Sequence, residues 1–142
     1  MDRDKDIKRI IKYFKARDEV SSLYIFGSFA RERENRESDI DIAVIIDESK
    51  LKKINYSLLK KEYYTASAGF SLRSLDIVIM NTASPFLKHQ VLKTGRILFD
   101  RNQNLRVRFT TKTIIEYLDF KPAQDVFLKA VADRFRRASI GR

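Results

Sequence analysis

The chain has 142 residues, 44% hydrophobic and 34% charged, with no cysteine and a formal net charge of +10. That length and balance suit one globular domain spanning 1–142 with a single core. The lack of cysteine excludes disulfides and thiolate metal sites and suits the cytoplasm. No signal-like apolar segment stands behind the charged start Met1–Asp6, and the longest wholly apolar run, Ile42–Ile46, is far short of a membrane span.

Ile7, Ile10, Ile11 and Phe14 fall at i, i+3, i+4 and i+7, which predicts an amphipathic helix over 4–17 with Lys5, Lys8, Lys12 and Lys15 on its wet face. A polar break at 18–22 precedes a short buried strand, 22–26, that stops at Gly27. Gly27 has no Cβ, so a ligand's phosphates can approach the backbone there. Ser28 stands at the expected start of a short helix, 29–33, where free amides and the helix dipole favour an anion.

After the charged connector 29–38, a second strand, 39–46, opens with Asp39-Ile40-Asp41. Side chains alternate along a strand, so both carboxylates face one way, about 6–7 Å apart at Cα, while Ile40 and Ile42 face a core. Such a pair suits two divalent cations about 3.5–4 Å apart. Gly-Ser alone is an ordinary turn, and Asp-x-Asp alone an ordinary solvated loop. Joined to two strands, they describe a nucleoside triphosphate site.

The charge pattern agrees: residues 31–49 hold three Arg against seven Asp and Glu, an acidic patch in a basic protein. Two carboxylates about 4 Å apart repel by about 4 kcal/mol at an effective dielectric of 20, so a cation or a proton must offset them.

Further along, a helix is expected from Lys50 to about Ser67, with Leu51, Ile54, Leu58, Leu59 and Tyr63 on one face and Gly69 at its C-cap. Tyr63-Tyr64 reads most simply as helix packing. The third strand, 72–80, carries Asp76 within an apolar run. A charge there is costly unless paired or metal-bound, the alternative being an edge strand on which Asp76 reaches water. Ser84 and Pro85 open a helix ending at Thr94-Gly95, and residues 96–99 form a short strand.

Residues 105–109 alternate like a strand, yet Phe109, Ile114, Ile115 and Leu118 continue a helical pattern. Pro122 is expected to open a further helix with an apolar stripe of Ala123, Val126, Phe127, Ala130, Val131 and Phe135, a core or partner-binding face. Residues 101–142 carry ten Lys and Arg against four Asp and Glu. That tail lacks the interleaved aromatics of a nucleic-acid stacking platform, so RNA binding ranks last. His89 is the only histidine, which argues against histidine-based catalysis or metal binding.

Gly27-Ser28, Ala30-Arg31 and Ser38-Asp39-Ile40-Asp41-Ile42-Ala43-Val44, spaced Gly-Ser-x10-Asp-x-Asp, resemble the signature of the minimal (MNT-type) nucleotidyltransferases of the polymerase β superfamily. The resemblance implies an α/β fold, a mixed sheet of about four strands flanked by helices, followed by C-terminal helices over about 103–138. It identifies Asp76 as the acid from a neighbouring strand that completes a catalytic triad. It implies that Asp39, Asp41 and Asp76 hold two Mg²⁺ ions and that ATP is the substrate. Ser28 and nearby amides are then expected to hold phosphate oxygens, Arg31 to neutralise the triphosphate or pair with Glu34 or Glu37, and Ser38 to orient Asp39. Among stand-alone proteins of this size it points to antitoxins paired with HEPN-domain ribonuclease toxins, with AMP transferred from ATP to a toxin tyrosine. Relatives often have glycine after Ala-Arg, where this chain has Glu32. Competing expectations are transfer to a small molecule such as an aminoglycoside and a catalytically silent binding antitoxin. Self-association is left open.

Overall fold

The computed structural model describes residues 2–27, 39–70 and 74–140. Helix α1 (Asp2–Lys15) leads into strand β1 (Val20–Phe26), and β2 (Ile40–Ile46) returns antiparallel to it. Helix α2 (Tyr56–Ala68), strand β3 (Leu75–Ile79), helix α3 (Pro85–Thr94), strand β4 (Arg96–Asp100) and helix α4 (Gln103–Ile140) follow. The sheet order is β3-β2-β1-β4, with β3 parallel to β2 and β4 antiparallel to β1.

Both faces of the central strands are covered, which explains why 42–46 is uniformly apolar. Leu23, Ile25, Ile42 and Val44 pack with Ile10 and Phe14 of α1 and Leu59 and Tyr63 of α2. Tyr24, Ala43 and Ile45, one position out of phase, pack with Met80, Val91 of α3, and Leu105 and Phe109 of α4. Fully burying an aliphatic or phenylalanine side chain contributes about 1.5–3 kcal/mol before entropy is counted, so this double layer supplies the main driving force. Asn81 satisfies the end of β2: its side chain accepts from Ile46 N at 2.8 Å and donates to Ile46 O at 3.0 Å. Glu19 is buried but accepts from Arg17 Nε at 2.8 Å and from the Tyr63 hydroxyl at 3.1 Å.

Several boundaries differ from the sequence expectation. The helix expected from Lys50 begins only at Tyr56, because Asp47 caps a single 3-10 turn (48–50) and Asn55 caps the helix proper, accepting from Leu58 N. Two local side-chain caps outcompete a continuous helix there. Consequently Ile54 and Leu58 are exposed rather than packed, while Leu59 and Tyr63 enter the core as expected. Ser84 and Pro85 open α3 as expected.

The strand-like alternation at 105–109 yields to helix, since Leu105 and Phe109, four apart, bury together against the sheet. Pro122 does not open a new helix; it lies inside the 38-residue α4. Proline forfeits a backbone bond to the carbonyl four residues earlier, but Leu118 and Pro122 are exposed, so water can take that carbonyl. The stripe beyond it is not core: Val126, Phe127 and Phe135 are 70%, 66% and 72% exposed.

Candidate active site

The acidic site forms where β1 ends and β2 and β3 begin. Phe26 pairs with Asp41 across β1 and β2, so Gly27 emerges directly beside Asp41. Gly27 has φ of +72°, a left-handed conformation that favours glycine. A Cβ on Gly27 would lie 2.2 Å from Asp41 Oδ2 and 3.1 Å from its Cγ. The glycine therefore opens the space that the Asp41 carboxylate occupies.

Across the parallel β2–β3 pair, Asp41 stands in register with Asp76. Neighbouring strands run about 4.8 Å apart, so the two carboxylates rise from adjacent positions on the same face. Asp39, two residues before Asp41 and exposed, belongs to the same group. The sequence brought Asp39, Asp41, Asp76 and Gly27 forward, and the fold gathers them. Ser28, Arg31 and Ser38 lie outside the described residues, as does the short helix expected at 29–33.

The electrostatics follow from this crowding. Partial burial pushes the Asp41 carboxyl above the usual carboxylate range, and the charges of Asp76 and then Asp39 push it the same way. Hard oxygen donors whose mutual repulsion favours proton uptake suit a divalent cation, which relieves the same repulsion. Among the described residues no three acidic or histidine side chains already form a closed metal cage. The donor set fits a divalent cation by chemistry and placement, with the carboxylates in an open arrangement.

Asp76 combines both sequence expectations: β3 is an edge strand and Asp76 reaches solvent, yet it also faces Asp41. Tyr64 carries a correction. It does more than pack its helix, because its hydroxyl donates to Asp76 Oδ1 at 3.2 Å and accepts from Ile77 N at 2.9 Å. Burial pushes that phenol up, and Asp76 and Asp41 add to the effect against the opposing Ile77 bond, so it remains a proton donor. No sequence spacing marks this residue, since the contact depends on how α2 crosses the open side of β3.

The family described as Polymerase beta, Nucleotidyltransferase matches residues 8–104. The chain belongs to the polymerase β nucleotidyltransferase family. The match spans all four strands and the three acids. Protein adenylyltransferase MntA of Shewanella oneidensis is 35% identical over 112 residues, 77% of this chain and 75% of that protein. A chain of a toxin-antitoxin crystal structure with AMP-PNP superposes with TM-score 0.68 at 26% identity, covering 93% of this chain and 99% of that one. A chain from a complex of a tri-AMPylated Shewanella oneidensis HEPN toxin with its MNT antitoxin gives TM-score 0.66 at 26% identity, covering 92% and 98%. The resemblance carried by residues 26–44 thus extends to nearly the whole nucleotidyltransferase chain, including the long C-terminal helix. A nucleotide substrate follows from family membership. Among the described residues no helix is long and apolar enough to cross a membrane.

Proposed function

We propose that this nucleotidyltransferase moves AMP from ATP to a tyrosine hydroxyl of a partner HEPN ribonuclease toxin, acting as its antitoxin in the cytoplasm as one domain. The observation that carries the chemistry is the in-register pairing of Asp41 with Asp76 beside the left-handed Gly27. The acceptor is inferred from the relatives, one named a protein adenylyltransferase and one seen with an AMPylated toxin.

Asp39, Asp41 and Asp76 would hold the divalent cations, two Mg²⁺ ions by our reading. Bound magnesium supplies charge neutralisation on the triphosphate and acidifies the acceptor hydroxyl. Gly27 keeps the backbone open at the phosphates, and Ser28 and Arg31 are assigned to phosphate oxygens, with Ser38 orienting Asp39. In the transfer, the tyrosine oxygen forms a bond to the α-phosphorus, the α–β phosphoanhydride bond breaks, and pyrophosphate departs. The tyrosine proton passes to Asp76 or to water. Positioning and charge compensation dominate such in-line transfers.

The test is incubation of the protein with labelled ATP, Mg²⁺ and a cognate HEPN protein, followed by mass analysis. The expected outcome is a gain of one or more AMP masses on a toxin tyrosine, abolished by EDTA and by Asp41→Asn. Protection from the toxin that survives Asp41→Asn, with no AMP mass gained, would instead identify a silent binding antitoxin.

A further inference from the structure

We propose that Tyr64 is a positioning residue for the nucleotidyl-transfer site, its hydroxyl fixing the Asp76 carboxylate in the orientation in which it shares a divalent cation with Asp41. The proposal rests on the assignment of Asp39, Asp41 and Asp76 as the metal-bearing acids. Asp76 lies exposed on the outermost strand, where packing alone does little to restrict its side-chain torsions. A ligand left to rotate pays an entropic cost whenever a cation orders it. Tyr64 supplies the missing restraint from a different element.

The phenol is itself well anchored. Its ring packs against the core layer beneath α1 and α2, and its oxygen accepts the Ile77 backbone N–H at 2.9 Å. With that contact made, the single phenolic proton is directed to Asp76 Oδ1 at 3.2 Å. A carboxylate offers about four lone-pair sites, so one bond from Tyr64 leaves Oδ2 and part of Oδ1 for a cation. The neighbouring Tyr63 shows the contrast: it is fully buried and its hydroxyl serves Glu19, remote from the acids. Partners that orient a metal ligand are typically worth about 10–100-fold in metal affinity or activity.

A purely structural role is the competing explanation, since the same phenol covers an edge amide of β3. Manganese titration followed by electron paramagnetic resonance, without nucleotide, separates the two in wild type, Tyr64→Phe, Asp76→Asn and the double variant. Tyr64→Phe is expected to weaken Mn²⁺ binding about 10-fold or more. In the Asp76→Asn background the same change is expected to shift affinity by less than about twofold, because the residue it acts through is gone. Wild-type affinity in Tyr64→Phe, or an equal loss in both backgrounds, overturns the positioning role. Unchanged affinity in Asp76→Asn alone removes the three-acid assignment, and the proposal falls with it. A second measurement needs no Tyr64 variant: in wild-type protein carrying ¹³Cζ-tyrosine, the Tyr64 resonance is expected to move on Mg²⁺ addition and to stay still in Asp76→Asn. A resonance that ignores Mg²⁺ in wild type also overturns the role.

Discussion

Replacing Gly27 by alanine separates two costs that usually arrive together. The backbone there has φ of +72°, and an L-residue held in that region costs about 1–2 kcal/mol. With an unfolding entropy of about 2.1 cal/mol/K per residue, this lowers the melting midpoint of the 142-residue chain by about 3–7 °C. The added Cβ also meets Asp41 Oδ2 at 2.2 Å, where ordinary contact begins near 3.4 Å. Because that oxygen is the free end of a side chain, it can retreat about 1 Å at little cost in stability. Function is less forgiving, since a misplacement of about 1 Å can cost about 100-fold in rate. Thermal melts and single-turnover AMP transfer to the toxin measure the two effects independently. Transfer within twofold of wild type, alongside the expected drop in melting temperature, would refute the placement of the Asp41 carboxylate at the reacting centre.

Three further outcomes are expected. The folded-state pKa of Asp41 is raised, so the metal-free protein carries a penalty that is absent below the unfolded carboxylate range and complete once pH exceeds the folded value. Asp41→Asn should therefore melt higher than wild type at pH 7 without metal, with the gap narrowing as pH falls, and it should lose the stabilisation that Mg²⁺ gives wild type. Asp100 behaves oppositely: burial pushes it up, but Arg106, Ser22 and the Asn102 amide together hold its carboxyl below the usual range. Its contribution is present above the unfolded carboxylate range and lost as pH drops through the lower folded value; Asp100→Ala should cost about 2 kcal/mol in denaturant melts at pH 7 and less at acid pH. Finally, none of residues 119–138 is buried, so a chain ending at Leu118 should unfold within about 2 °C of the full chain in the same calorimetric scan.

The strands and acids were legible because their signals are local. Ile40 to Ile46 alternates between two helical layers, and Asp39 and Asp41 interrupt the start of an otherwise apolar stretch. Asp76 was legible only as an anomaly within an apolar run; its register with Asp41 is a property of the parallel pairing, which no single stretch encodes. The delayed start of α2 was hidden because Leu51 and Ile54 mimic helical spacing while Asp47 and Asn55 decide the caps. Pro122 misled for a similar reason, since its penalty depends on exposure, a tertiary quantity. Tyr64 was invisible for the strongest reason: its two bonds are made to a strand that begins eleven residues later, across the sheet's open side.

That open side has a consequence for acceptor choice. An outermost strand has no neighbour on one flank, so a carboxylate mounted on it can be visited by a bulky visitor without any part of the fold moving aside. A deep pocket sorts small guests by shape; a shelf at the rim of a sheet cannot. Discrimination among hydroxyls must then come from how the visiting protein is held elsewhere, leaving the rim to do the same chemistry on whichever hydroxyl is delivered to it.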